Sequence, residues 1–68
     1  MLIEPLSARE QEVLRLLAAG LASPEIARAL IIGVSTVRTH IKNIYGKLGV
    51  HGRIQSIERA RALGLLDA

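Results

Sequence analysis

The segment Val34–Leu48 constrains this chain more than any other, because its apolar residues share one face only if it is a helix. Read at about 100° per residue, Val34, Val37, Ile41, Ile44, Tyr45 and Leu48 fall within a single arc. Ser35, Arg38, Thr39, Lys42 and Gly46 fall opposite, with Asn43 beside them. No acidic residue interrupts the run from Gly33 to Val50. The apolar arc must be covered by the rest of the chain. The other face, short, polar and cationic, suits the major groove of a DNA duplex, although a solvated helix surface can have the same composition.

The residues ahead of this segment narrow the choice. Ser7-Ala8-Arg9-Glu10 has the spacing of a capping box, with Ser7 accepting from the Glu10 N–H and the Glu10 carboxylate reaching back. Leu6 can close against Gln11 or Val13 as the helix begins. Val13, Leu14, Leu16 and Leu17 form its buried arc, and Gly20 is a natural stop. Glu10 lies on the apolar side of this helix, which fits capping rather than catalysis. A second helix starts at Ser23-Pro24-Glu25, with proline pre-organised for the first turn. Ile26, Ala27 and Leu30 give it an apolar face, and Ile31-Ile32-Gly33 breaks it. Two helices joined by so short a turn, the second amphipathic and basic, make a helix-turn-helix. Ala27 is small enough to let the first of them approach Val37 and Ile41.

Beyond Leu48, Gly49-Val50-His51-Gly52 reads as a turn, followed by a helix carrying Ile54, Ile57 and Ala60 on one side. Gly64 ends it, and Leu65-Leu66 can fold back onto the core. No stretch alternates as a strand does. The expected fold is all-α, a compact four-helix domain with helices near 7–19, 23–30, 34–48 and 53–63. Residues 1–5 read as a tail or linker remnant and residues 6–68 as the domain.

Composition removes several classes of function. A chain of 68 residues buries only about 60% of its unfolded surface, so its core has to be economical. With one Tyr and neither Phe nor Trp, that core is aliphatic, and no platform exists for stacking single-stranded bases. The absence of cysteine removes disulfides, thiol catalysis and most structural zinc sites. His40 and His51 are the only histidines and lack partners at metal-ligand spacing, so no metal is expected. Ser35 and Ser56 have no His and Asp arrangement of a nucleophile, and no glycine-rich phosphate loop occurs. Neither an enzyme nor a cofactor is indicated. The net charge of +3 matters less than its placement. Arg38, Lys42, Lys47 and Arg53 are unopposed between Gly33 and Gln55, which favours a polyanionic partner. Arg53 can instead pair with an acid of the first helix, and that structural role is the preferred one.

Leu6-Ser7-x-Arg9-Glu10-x-Glu12-Val13-Leu14, Gly20-Leu21, Glu25-Ile26-Ala27, Thr36-Val37-Arg38-Thr39-His40, Ile44-Tyr45-x-Lys47-Leu48 and Arg53 resemble the LuxR-type (GerE-like) DNA-binding domain. The likeness runs from Leu6 through Leu66. Within that family, the lead-in and Ile44–Val50 look most like the C-terminal domain of MalT-like transcription regulators. The resemblance implies a third helix in the major groove and a fourth that forms dimers on DNA. Carried over by position, Arg38, Thr39 and Lys42 match the base-reading residues. Ser23, Ser35, Thr36, His40, Asn43 and Lys47 are candidates for the DNA backbone, and Glu58 and Ala62 for a weak homodimer contact on helix four.

Four positions depart from the family's pattern. Gly33 replaces the usual Ser or Thr cap of the third helix, and Ala22 replaces a Ser ahead of the second, which should shift that cap to Ser23. Gly52 replaces the Ser or Asn before the fourth, and Ile31 puts an apolar side chain in the turn. The reading is sequence-specific double-stranded DNA binding by the effector domain of a bacterial transcription regulator, in the cytoplasm on the nucleoid. No membrane association is expected, and any sensor, ATPase or receiver module is absent from this chain. The rival is a helical protein-interaction or dimerisation module without DNA binding.

Overall fold

A computed structural model describes residues 4–66. Among these, the chain forms α1 (Ala8–Ala18), α2 (Ser23–Leu30), α3 (Val34–Leu48) and α4 (Arg53–Ala62). Each lies where the sequence placed it, give or take the capping residues at its ends. Both arms of the α1 capping box are formed. The Glu10 N–H donates to Ser7 Oγ at 3.1 Å, and the Ser7 N–H donates to Glu10 Oε1 at 2.9 Å.

α1 and α3 each pack against all three other helices, α3 most extensively, whereas α2 and α4 do not touch each other. Its inner face supplies Val37, Ile44 and Leu48 to a core completed by Val13, Leu14, Leu17, Ile26, Ala27 and Ala60. Ala27 is buried against this cluster, consistent with a small side chain at the α2–α3 crossing. Leu65 and Leu66 do fold back onto the core. No helix among the described residues is long and apolar enough to cross a membrane.

Two expectations require correction. The α2 N-cap is Ala22, not Ser23: Ala22 has extended backbone (φ −82°, ψ 162°), and Ser23 is already helical. Alanine offers no side-chain oxygen, so only one arm of a capping box exists there, the Ala22 N–H donating to Glu25 Oε1 at 2.7 Å. That carboxylate, three residues on, fixes the helix start without a hydroxyl. The second correction concerns α4, where Ile54 is 74% exposed while Ser56 and Ala60 are fully buried. Ile54 and Ser56 are roughly 160° apart around a helix, so both cannot face inward. The Ser56 hydroxyl tolerates burial because it donates to the Arg53 carbonyl at 2.6 Å, and small residues at 56 and 60 let α4 sit close to its neighbours.

All four helices end in the same way. The N–H groups of Leu21, Ile32, Val50 and Leu65 donate back to the carbonyls of Leu16, Ala27, Tyr45 and Ala60, at 2.8–3.1 Å. This closure puts one residue in the left-handed region. Gly20, Gly49 and Gly64 fill that role in three helices; in α2 it is Ile31, at φ 57°. A β-branched residue is strained there, by about 1–2 kcal/mol, and the Ile31 side chain is 91% exposed, so little packing offsets the strain. Ile31→Gly should therefore stabilise the domain by about 1 kcal/mol, or roughly 4–8 °C in a protein this small. Thermal melts of the two proteins check this; an unchanged midpoint would show that Ile31 makes compensating contacts.

Candidate nucleic-acid interface

The packing of α3 decides which of its side chains a ligand can reach. With Val37, Ile44 and Leu48 turned into the core, Ser35, Thr36, Arg38, Thr39, Lys42, Asn43 and Gly46 are all exposed. Ile41, Tyr45 and His40 are half-buried along the edges of that face. The three residues expected to read bases thus stand on one outward surface, and all six backbone candidates lie on α3 or at the start of α2, Lys47 being half-buried rather than exposed. Arg38 and Lys42 form no ion pair with any described residue, so both cations are available to an external anion.

Thr39 is more restricted than its sequence suggested. Its Oγ1 donates to the Ser35 carbonyl at 3.0 Å, an i→i−4 bond within the helix. The hydroxyl proton is engaged there, so what Thr39 offers outward is acceptor lone pairs and a methyl group. Those suit an exocyclic amine or a thymine methyl. At the start of α3, the Gly33 cap supplies no side-chain oxygen, and the first N–H groups of the helix remain free to meet a phosphate. Ser23, as the first residue of α2, likewise has a hydroxyl that is not engaged in capping.

Lys47 sits differently from the other cations. Its ammonium donates to Glu10 Oε1 at 2.7 Å and to the Pro5 carbonyl at 3.2 Å, and the two side chains are only 18% and 6% exposed. One carboxylate therefore caps α1 and holds α3. The carboxyl pKa of Glu10 reflects this: burial pushes it up, but the Lys47 hydrogen bond, the Ser7 N–H, the Lys47 charge and the Ser7 hydroxyl together hold it below its ordinary value. Sequence reasoning recognised the cap and missed the ion pair. A carboxylate on the apolar side of α1 needs a counter-charge, and that need was the available signal. Arg53 takes its structural role without an acid, its Nη2 donating to the Leu17 carbonyl at 2.8 Å near the negative end of α1.

Two clefts flank the outward face of α3. One, of about 510 Å³, is lined by Glu4, Glu10, Lys42, Asn43, Gly46 and Lys47. The other, of about 480 Å³, lies by Arg38, Lys42, Tyr45, Gly46 and His51. On α4, Glu58 and Ala62 are exposed, in one row with Ile54. Among the described residues, no group of His, Asp or Glu side chains is gathered to hold a metal ion.

Residues 4–60 match the family described as "Bacterial regulatory proteins, luxR family". The chain is 47% identical over 62 residues to the probable transcriptional regulatory protein NarL of Mycobacterium tuberculosis, covering 91% of this chain and 29% of that protein. With the HTH-type transcriptional regulator MalT of Yersinia pestis the identity is 41% over 59 residues, covering 87% of this chain and 6% of MalT. The chain therefore spans less than a third of either relative. The solved structure of the transcription factor GerE superposes with a TM-score of 0.85 at 42% identity, over 91% of this chain and 92% of GerE. Family match, identity and superposition agree with the resemblance noted from the motifs, and the chain belongs to the LuxR family of bacterial regulatory proteins.

Proposed function

We propose that this chain is the DNA-binding effector module of a transcription regulator and docks α3 in the major groove of a duplex. The observation that carries this is the outward pair Arg38 and Lys42, unpaired with any acid among the described residues, on a helix that also builds the core. In this reading Arg38, Thr39 and Lys42 read base edges, the arginine able to bind guanine O6 and N7 together. Ser23, Ser35, Thr36, His40 and Asn43 contact the sugar–phosphate backbone and fix the docking angle without reading sequence. Lys47 serves the same interface from behind, by holding α1 and the lead-in against α3. The module works without catalysis or cofactor, on the nucleoid in the cytoplasm, and takes its signal from domains outside the stretch shared with NarL and MalT. On adjacent half-sites two copies meet through α4 at Glu58 and Ala62, a contact weak in isolation; the exposure of Ile54 on the same row supports it.

A salt titration of duplex binding tests the reading. Each neutralised phosphate should contribute a slope of about −0.9 in log K against log salt, and a module of this kind should show several such contacts. A helical interaction module would show neither duplex affinity nor that slope. Selection of bound sites from a random duplex pool would then yield the operator.

A further inference from the structure

Gly46 is the one glycine of α3, and nothing among the described residues calls for it. The helix runs unbroken from Val34 to Leu48. The glycines in the left-handed region are Gly20, Gly49 and Gly64, so Gly46 has ordinary helical backbone that any residue could adopt. A Cβ built at Gly46 would meet nothing within 4 Å. Glycine within a helix weakens it relative to alanine. A glycine needed neither for backbone conformation nor for packing leaves a space that only something outside the chain can use.

Its place on α3 indicates what that is. Gly46 lies on the outward face in line with Ser35, Thr39 and Lys42, and it borders both flanking clefts, beside Lys42 and Asn43 in one and beside Lys42 and Arg38 in the other. From Ser35 to Gly46 the helix rises about 16 Å, whereas the major groove is about 12 Å wide. A helix that lies across the groove with Arg38 and Lys42 over the bases therefore passes the phosphate wall near Gly46. We propose that Gly46 is the seat over which a DNA sugar–phosphate strand crosses α3, the missing side chain letting the strand reach the helix surface beside Lys42 and Asn43. This deepens the DNA-binding reading and rests on it.

The test is the pair Gly46→Ala and Gly46→Gln, measured with a short duplex that the wild-type chain recovers from a random pool. Both variants should melt several degrees higher than wild type, because helix propensity improves and nothing clashes. Duplex affinity should move the other way, falling severalfold for alanine and about tenfold for glutamine as the strand is held off the helix. Opposed changes in stability and binding would not arise from a merely structural role. Variants that bind as tightly as wild type, or that melt lower, overturn the proposal alone. A wild-type chain that recovers no duplex overturns the DNA-binding reading with it.

Discussion

Replacing Glu10 with alanine is expected to destabilise the domain by about 4 kcal/mol, which is a large share of what a chain this small can have. Two losses combine. The α1 capping box disappears, at about 1 kcal/mol. Lys47 also loses the carboxylate at 2.7 Å, and breaking a buried pair from one side costs about 3–5 kcal/mol. The lower part of that range applies here, because the Lys47 side chain is 18% exposed and can turn toward water. Urea denaturation of the wild type, Glu10→Ala, Lys47→Met and the double variant measures both the cost and the coupling. If the two single losses simply add, the pair is not coupled and the account of Glu10 as a shared anchor fails.

The same group sets the acid limit of the fold. Because the folded-state pKa of Glu10 lies below its ordinary value of 4.5, the unfolded chain takes up this proton more readily than the folded one. The stabilisation is thus complete above the unfolded-state value and is lost as pH falls through the lowered folded-state value. Glu10→Gln should flatten the stability profile over that acidic window, leaving a domain that is weaker at neutral pH but less sensitive to acid.

Replacing Arg38 with alanine should act on binding and leave folding nearly untouched. Arg38 is exposed and forms no ion pair among the described residues, so its removal should change stability by less than about 0.5 kcal/mol. Discrimination at one base pair should fall by about 1–3 kcal/mol, the worth of a bidentate contact to guanine. The selected operator and its single-base variants, competed against one another, would show a preference flattened at that position and retained elsewhere. Arg38→Lys sharpens the result, since lysine keeps the charge but not the planar fork. It should hold most of the salt-dependent affinity and lose most of the selectivity. A uniform weakening toward all duplexes would instead make Arg38 a phosphate contact.

Those features set by residues close together in the chain were legible from the sequence. The Ser7–Glu10 box, the apolar arc of Val34–Leu48 and the stops at Gly20 and Gly64 each depend on spacings of a few residues, and all appear as expected. What escaped depends on distant packing or on which of two local solutions prevails. Lys47 and Glu10 are 37 positions apart, and no periodicity links them. Hydrophobicity favoured Ile54 over Ser56 for the inner face of α4, but the closeness of the neighbouring helices favoured the smaller residue. Nothing local announces that Ile31 adopts a conformation glycine fills in the other three helix ends. At the interface, periodicity gave the outward direction of Arg38 and Lys42. It could not show that the Thr39 proton is already bound to Ser35.

The division of α3 into a load-bearing side and an exposed one has a practical meaning for redesign. Val37, Ile44 and Leu48 anchor the scaffold, so the exposed letters at 35, 38, 39 and 42 can be rewritten without disturbing it. Grafting the corresponding four residues from a relative onto this chain should transfer that relative's operator choice, and the melting behaviour of the recipient should follow it only slightly.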